Sequence, residues 1–262
     1  MLENDEMLAT CASAARAGGK QLLDWRGRFS THTKGDRDFV TDADLASQAA
    51  IRAVILEEFP DHGFLGEESP DLQQLGRPYC WVVDPLDGTT NYIHDFPFFA
   101  VSVSLARQGQ PVAGAIYDPI RDELFLASKG GGASVDGEPI KPRNSAELPE
   151  ALLAMSFPPQ MRLESPDVKA FLEVAPICQA MRRSGSAALN LAYVACGRLD
   201  GNWAFDIHPW DSAAGVLLVQ EAGGVATSVL GENYDLSSGD YLATATSQLH
   251  RALRGTMVSS SE

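Results

Sequence analysis

Two aspartates three residues apart close an apolar run in Trp81-Val82-Val83-Asp84-Pro85-Leu86-Asp87-Gly88-Thr89-Thr90-Asn91. The strand end presents Asp84, and Pro85 fixes the turn while removing one N–H. Asp87 then returns to the same side, and Leu86 can offer a main-chain carbonyl. Hard oxygen donors packed this closely suit Mg²⁺ or a similar cation. Gly88 has no Cβ, so the backbone can come close to a ligand. Free N–H groups of Gly88 and Thr89, at what reads as a helix start, would meet a phosphate. The competing reading is a surface turn with Asp and Thr as local caps. A buried strand feeding the motif favours the ligand.

Three further acids fit the same chemistry. Glu67, in Gly66-Glu67-Glu68-Ser69, follows the short apolar Gly63-Phe64-Leu65, so a carboxylate again sits at a strand end. Asp211 stands at the mouth of a small-residue helix, Trp210-Asp211-Ser212-Ala213-Ala214-Gly215. Asp44 lies in the first turn of another helix. Taken singly, Glu67-Glu68 reads as solvated charge, Asp211 as an N-cap and Asp44 as a helix-dipole partner.

The elements that must position these groups follow from periodicity. Met7, Cys11, Ala15, Leu22 and Trp25 predict an amphipathic helix over 4–25. Leu45, Ala49, Ala53, Leu56 and Phe59 predict another over 42–59, stopped by Pro60. Strand-like runs at 80–83, 98–105, 112–117 and 123–127 are separated by turn residues and predict an antiparallel meander. Beyond 149 the pattern alternates. It gives a strand at 151–156, a helix at 166–175, a strand near 181, a helix at 186–196 and a strand at 199–205. A helix at 210–221 and strands near 225 and 242 complete it. The chain therefore divides near residue 148 into an α+β half, 1–148, and an α/β half, 149–262, which pack tightly.

Composition excludes several classes. The chain has 262 residues, 35 acidic against 20 basic, and a formal charge of −15. Hydrophobic residues make up 45%, too many for a disordered protein. The acidity argues against a nucleic-acid binder, since phosphate backbones repel a net anion. Cys11, Cys80, Cys178 and Cys196 are scattered without C-x-x-C spacing and read as reduced, small hydrophobes. No run is apolar enough to span a membrane, and the acidic N-terminus is unlike a secretory leader. The expected location is the cytoplasm.

Jointly, the motifs resemble the inositol monophosphatase family of metal-dependent, lithium-sensitive phosphatases over nearly the whole chain. The resemblance rests on Lys34-Gly35 with Asp38-Phe39-Val40-Thr41, on Gly66-Glu67-Glu68-Ser69, and on the Asp84–Asn91 run. Tyr117-Asp118-Pro119, Gly130-Gly131-Gly132-Ala133, Gly185-Ser186-Ala187-Ala188 and Trp210-Asp211-Ser212-Ala213-Ala214-Gly215 extend it.

The resemblance implies a layered αβαβα sandwich of the fructose-bisphosphatase/inositol-monophosphatase kind. Its sheet is antiparallel in the N-terminal half and mixed in the C-terminal half. It implies two or three Mg²⁺ ions: Glu67, Asp84 and the Leu86 carbonyl on the first, Asp84, Asp87 and Asp211 on the second, and Glu67 assisting a third. Asp44 and Thr89 match the pair that orients and deprotonates the attacking water, with Glu67 beside them. Gly88, Thr89, Gly185, Ser186 and Ala187 match segments facing phosphate and substrate. Transfer is then directly to water, since two ions can clamp the attacking and leaving oxygens. A homodimer acting on a small phosphorylated metabolite is implied, with neither nucleic acid nor membrane as partner.

One position departs. Inositol-selective members place a glutamate seven residues before the Trp-Asp aspartate, where this chain has Ala204. Asp206 substitutes only if its loop is repositioned, and Arg183 could serve a second anionic group. Histidinol phosphate, fructose 1,6-bisphosphate and phosphoadenosine phosphate therefore stand beside inositol 1-phosphate as substrates. A regulatory, protein-binding role on the same scaffold is the alternative from a different class.

Overall fold

The computed structural model describes residues 2–35, 38–144, 147–158, 161–237 and 239–258. Five layers stack in the order helix, sheet, helix, sheet, helix. The outer layer is α1 (Leu2–Trp25) with α2 (Asp42–Glu58), whose apolar sides, including Cys11, Ala15, Leu22, Ile51 and Ile55, bury against one sheet. The connecting hairpin, β1 (Thr31–Gly35) and β2 (Asp38–Thr41), has no counterpart in the sequence reading. Its β1 residues are mostly exposed, so no apolar alternation marks them.

The first large sheet holds seven strands in sequential order. They are β3 (Gly63–Gly66), β4 (Tyr79–Asp87), β5 (Ala100–Arg107), β6 (Gln110–Asp118), β7 (Glu123–Ser128), β8 (Gly132–Val135) and β9 (Glu138–Pro139). From β4 onward every pairing is antiparallel, as the short gaps predicted. β3 departs from that plan. It joins β4 in parallel, because Asp71 caps a short 3₁₀ turn at Leu72–Gly76 that carries the chain back to the start of β4. The parallel pairing brings the C-terminal ends of β3 and β4, and hence Glu67 and Asp84, to one edge.

The second sheet has five strands in the order β11-β10-β12-β14-β13. They are β10 (Leu152–Ser156), β11 (Ala180–Arg182), β12 (Gly201–Phe205), β13 (Val225–Thr227) and β14 (Asp240–Thr244). Parallel pairs β10–β11 and β10–β12 adjoin antiparallel pairs β12–β14 and β13–β14, giving the expected mixed sheet.

Between the sheets lie α5 (Ala187–Ala195) and α6 (Pro209–Glu221), with residues of both buried in a shared core. Small residues make this layer thin. A Cβ on Gly215 would meet Leu191 at 2.5 Å, and one on Gly114 of β6 would meet Ala214 at 3.1 Å. The Ala-Ala-Gly run after Asp211 is thus a packing device for α6. The triple glycine at 130–132 is held differently, by Gly130 and Gly132 N–H donating to the Glu221 carboxylate.

On the outer face of the second sheet pack α4 (Pro166–Val174) and α7 (Ser247–Val258), burying Leu153, Trp203, Leu242, Leu249 and Leu253. The terminal helix α7 is absent from the sequence reading, although Leu249, Leu253 and Met257 recur at helical spacing. All four cysteines are free, and burial pushes the Cys80 thiol up to about 12. No helix among the described residues is long and apolar enough to cross a membrane.

Candidate active site

A cavity of about 1090 Å³ opens where the C-terminal end of β4 meets the starts of α3 (Thr89–Ile93), α5 and α6. Glu67, Asp84, Leu86, Asp87, Gly88, Thr89, Gly185, Ala187, Arg183, Asp206 and Asp211 all line it. Asp44 and Ser186 do not. Both are fully buried, and each reaches the site through another residue.

The backbone bends sharply through the motif. β4 and β5 lose register between Asp84 and Asp87, and Asp84 Oδ1 accepts from Leu86 N at 2.9 Å, tying the turn to itself. Gly88 has φ 103°, and a Cβ there would lie 3.1 Å from Phe98 O and 3.2 Å from Gly185 O. Only glycine fits that conformation and that gap without strain. The helix it caps, α3, is a single short turn.

Asp87 is clamped from the other half of the chain. Its Oδ2 accepts from Ser186 Oγ at 2.5 Å and Ala188 N at 2.6 Å, and its Oδ1 from Ala187 N at 3.1 Å. Asp211 Oδ2 accepts from His208 N at 2.8 Å, closing the start of α6. Asp211 is therefore not the N-cap, which is His208, but the third helical residue reaching back to it, and it lines the cavity as well. His208 stacks on Trp210, with ring centroids 4.6 Å apart, at the rim.

Asp44 is held by Thr41, whose N and Oγ1 donate to Oδ2 at 2.8 and 2.5 Å. Thr89 Oγ1 stands 3.2 Å from Asp44 Oδ1 and 3.1 Å from Leu86 O. Burial, opposed by the Thr41 bonds, pushes Asp44 up to about 6.

The acids repel one another in a desolvated space. Burial raises Asp84 well above the carboxylate range, with Glu67, Asp87 and Asp211 adding to the rise; Asp84 also shares a hydrogen bond with Glu67. Burial likewise raises Asp211, and it lifts Asp87 to about 6 against the Ser186 and backbone bonds.

Two charged neighbours were missed in the sequence. Lys34 Nζ, on β1, donates to Glu67 Oε1 at 3.0 Å and to Glu68 Oε1 at 2.7 Å. Glu68 is nearly buried and pushed up to about 7 by burial. Lys34 belongs to a quoted motif, but nothing in its spacing told which acid it faces.

The donor set tests well against a hard divalent cation. It is all oxygen, acidic and partly desolvated, with no thiolate or imidazole donor. Among the described residues no three such groups converge into a ready-made cage. Lys34 holds Glu67, while backbone N–H groups hold one oxygen each of Asp84 and Asp211.

A profile of the inositol monophosphatase family matches residues 3–262. The chain belongs to that family. It is an enzyme of this phosphatase class. It is 39% identical over 249 residues to a Synechocystis protein named inositol-1-monophosphatase, covering 94% of this chain and 86% of that protein. It is 38% identical over 245 residues to an Escherichia coli K12 protein named Nus factor SuhB, covering 90% of each. The solved inositol monophosphatase from Anabaena superposes with a TM-score of 0.87 at 40% identity, over 97% of this chain and 96% of that one.

Proposed function

We propose that this family member hydrolyses a small-molecule phosphate monoester, an inositol 1-phosphate-like polyol or sugar phosphate, with two or three Mg²⁺ ions. The observation that carries the reading is that Glu67, Asp84, Asp87 and Asp211 all line one cavity, where burial and neighbouring acids raise Asp84 and Asp211. Glu67, Asp84 and the Leu86 carbonyl would hold one ion, Asp84, Asp87 and Asp211 a second, and Glu67 would assist a third. When bound, such ions acidify water and neutralise charge on the phosphoryl and leaving oxygens.

The chain's own groups do the rest. Thr89 has one hydroxyl proton and two acceptors within reach. Donated to Asp44, that proton leaves the Thr89 oxygen free to accept from the attacking water. Thr41 keeps Asp44 pointed for this task. Gly88 and the Gly185–Ala187 loop bring backbone close to the phosphate. Ser186 has its hydroxyl committed to Asp87, which supports transfer to water over a phosphoenzyme.

The cavity is also lined by Arg183, stacked 5.0 Å over Phe157, and by Asp206, Met155, Pro158 and Met161, which would face the leaving group. Arg183 has no acidic partner among the described residues, which favours substrates carrying a second anionic group. We extend the reading to a cytoplasmic homodimer divided near residue 148, where one sheet ends and the next begins. The charge of −15 supports exclusion of nucleic acid. The decisive experiment is a phosphate-release panel of sugar, polyol and nucleotide monophosphates, with and without Mg²⁺. No release by the wild type from any of them overturns the proposal.

A second reading is a regulatory, protein-binding role, favoured by the relative named as a Nus factor. A specific partner retained by Asp84→Asn protein supports it; the absence of any stable partner counts against it.

A further inference from the structure

Ser184 lines the cavity one residue before Gly185, whose carbonyl lies 3.2 Å from where a Cβ on Gly88 would sit. Both ends of this serine are held. Asn91 Nδ2, on α3, donates to the Ser184 carbonyl at 2.8 Å and to the Phe98 carbonyl at 2.6 Å. The Ser184 hydroxyl donates to Asn190 Oδ1, on α5, at 2.5 Å. The serine is thus fixed in backbone and side chain beside the turn that carries the acids.

Asn190 is the one amide in α5, whose other buried residues are alanine, leucine and valine. It is fully buried. An amide there is costly unless its polar atoms are paired. Both pair with serines that line the cavity, Oδ1 with Ser184 and Nδ2 with Ser156 Oγ at 3.4 Å. A helix built only for packing would place leucine at this position. The direction of the shorter bond decides what Ser184 can offer. Its proton is committed to Asn190, so its oxygen meets a ligand as an acceptor. What it accepts from a phosphorylated alcohol is a hydroxyl proton.

We propose that Ser184 is a specificity-determining residue that accepts a free hydroxyl of the leaving alcohol, and that Asn190 is the positioning residue that turns its oxygen to that task. This rests on the hydrolase reading and deepens it. Ser184 adjoins the loop that faces the phosphate, so the hydroxyl it meets is the one on the carbon beside the ester. Esters of simple alcohols leave this acceptor unpaired in the closed complex and are selected against for that reason.

The test uses full-length protein with Mg²⁺ and two probes of one carbon skeleton, glycerol 2-phosphate and isopropyl phosphate, which lacks the neighbouring hydroxyls. Ser184→Ala should raise KM for glycerol 2-phosphate about fivefold, the worth of one neutral hydrogen bond, with kcat within about twofold. Its KM for isopropyl phosphate should stay within about twofold of wild type. Asn190→Leu should show the same selective rise, and the double variant should be no worse than Ser184→Ala, since both lose one contact. Asn190→Asp keeps the acceptor, so it should keep the wild-type ratio of the two KM values; it tests the amide if Asn190→Leu folds poorly. Equal rises for both probes, no rise for glycerol 2-phosphate, or a lost ratio in Asn190→Asp overturns the proposal. So does a wild type that acts on other phosphate esters but on neither probe. A wild type that releases phosphate from no ester overturns the hydrolase reading and this one with it.

Discussion

Ser186 donates its hydroxyl to Asp87 Oδ2 at 2.5 Å, joining residues 99 positions apart in the chain. The same serine caps α5, with Oγ accepting from Leu189 N at 3.2 Å. One side chain therefore sets both the start of a middle-layer helix and the orientation of a candidate metal ligand.

Ser186→Ala should cost about 1.5–3 kcal/mol, the range for a hydrogen bond to a charged group, part of it through the lost cap. Equilibrium urea unfolding measures that loss, and calorimetric Mg²⁺ titration should show weaker binding. Unchanged Mg²⁺ affinity would mean that Asp87 needs no help in pointing at the ion.

Asp87→Asn should separate function from folding. The amide removes a charge from a cluster that repels itself, but it turns an NH₂ toward a backbone N–H of Ala187 or Ala188, so the ion-free protein should lose no more than about 1–3 kcal/mol. Phosphate release should fall by at least about 100-fold, as expected when a charge-stabilising group is lost. Equal losses of melting temperature and activity, with Mg²⁺ binding intact, would sink the ligand assignment.

The acid cluster makes stability depend on pH in a definite direction. Asp87 is raised to about 6, and Asp84 and Asp211 are raised too, whereas in the unfolded chain all three ionise near 4. Between these values the unfolded state has released protons that the folded state still holds. Without divalent ions, stability should therefore fall as pH rises from about 4 through 6 and beyond. Mg²⁺ should offset this, so its upward shift of melting temperature should be larger at pH 8 than at pH 5. An equal shift at both would contradict the cluster's electrostatics.

Gly88→Ala should be severe for its size. The left-handed backbone and contacts at 3.1 and 3.2 Å leave no place for a methyl group. A loss of about 1–3 kcal/mol is expected from backbone strain, measurable by thermal melts. Near-wild-type stability would show that the Gly88–Gly185 approach is looser than the structure gives.

Much of the site could be read from residue order because its donors sit at strand ends and helix starts, where local pattern is strong. Asp84 to Thr89 is continuous in sequence, and Glu67 and Asp211 each follow a recognisable element boundary. The division of labour within the site was not readable. Asp44 read singly as a helix-dipole partner, and its burial behind Thr89 had no local signal. Ser186 looked like a substrate contact and turns to Asp87. Lys34 escaped because its hairpin is exposed and lacks alternation. In the terminal helix, Gly255 and the basic residues obscured a regular apolar stripe. The parallel entry of β3 depended on a capped turn, which strand-like runs do not reveal.

The middle layer has a consequence for the order of events after synthesis. Asp87 reaches its Ser186 clamp, and Asp211 its place on the same cavity, only once α5 and α6 are seated between the two sheets, through contacts between residues far apart in the chain. Such non-local closure is slow relative to local helix and hairpin formation. A half-assembled chain shows its acids apart, each with ordinary affinity for solvent cations. A divalent ion that needs both acids would therefore be held only once that layer has closed.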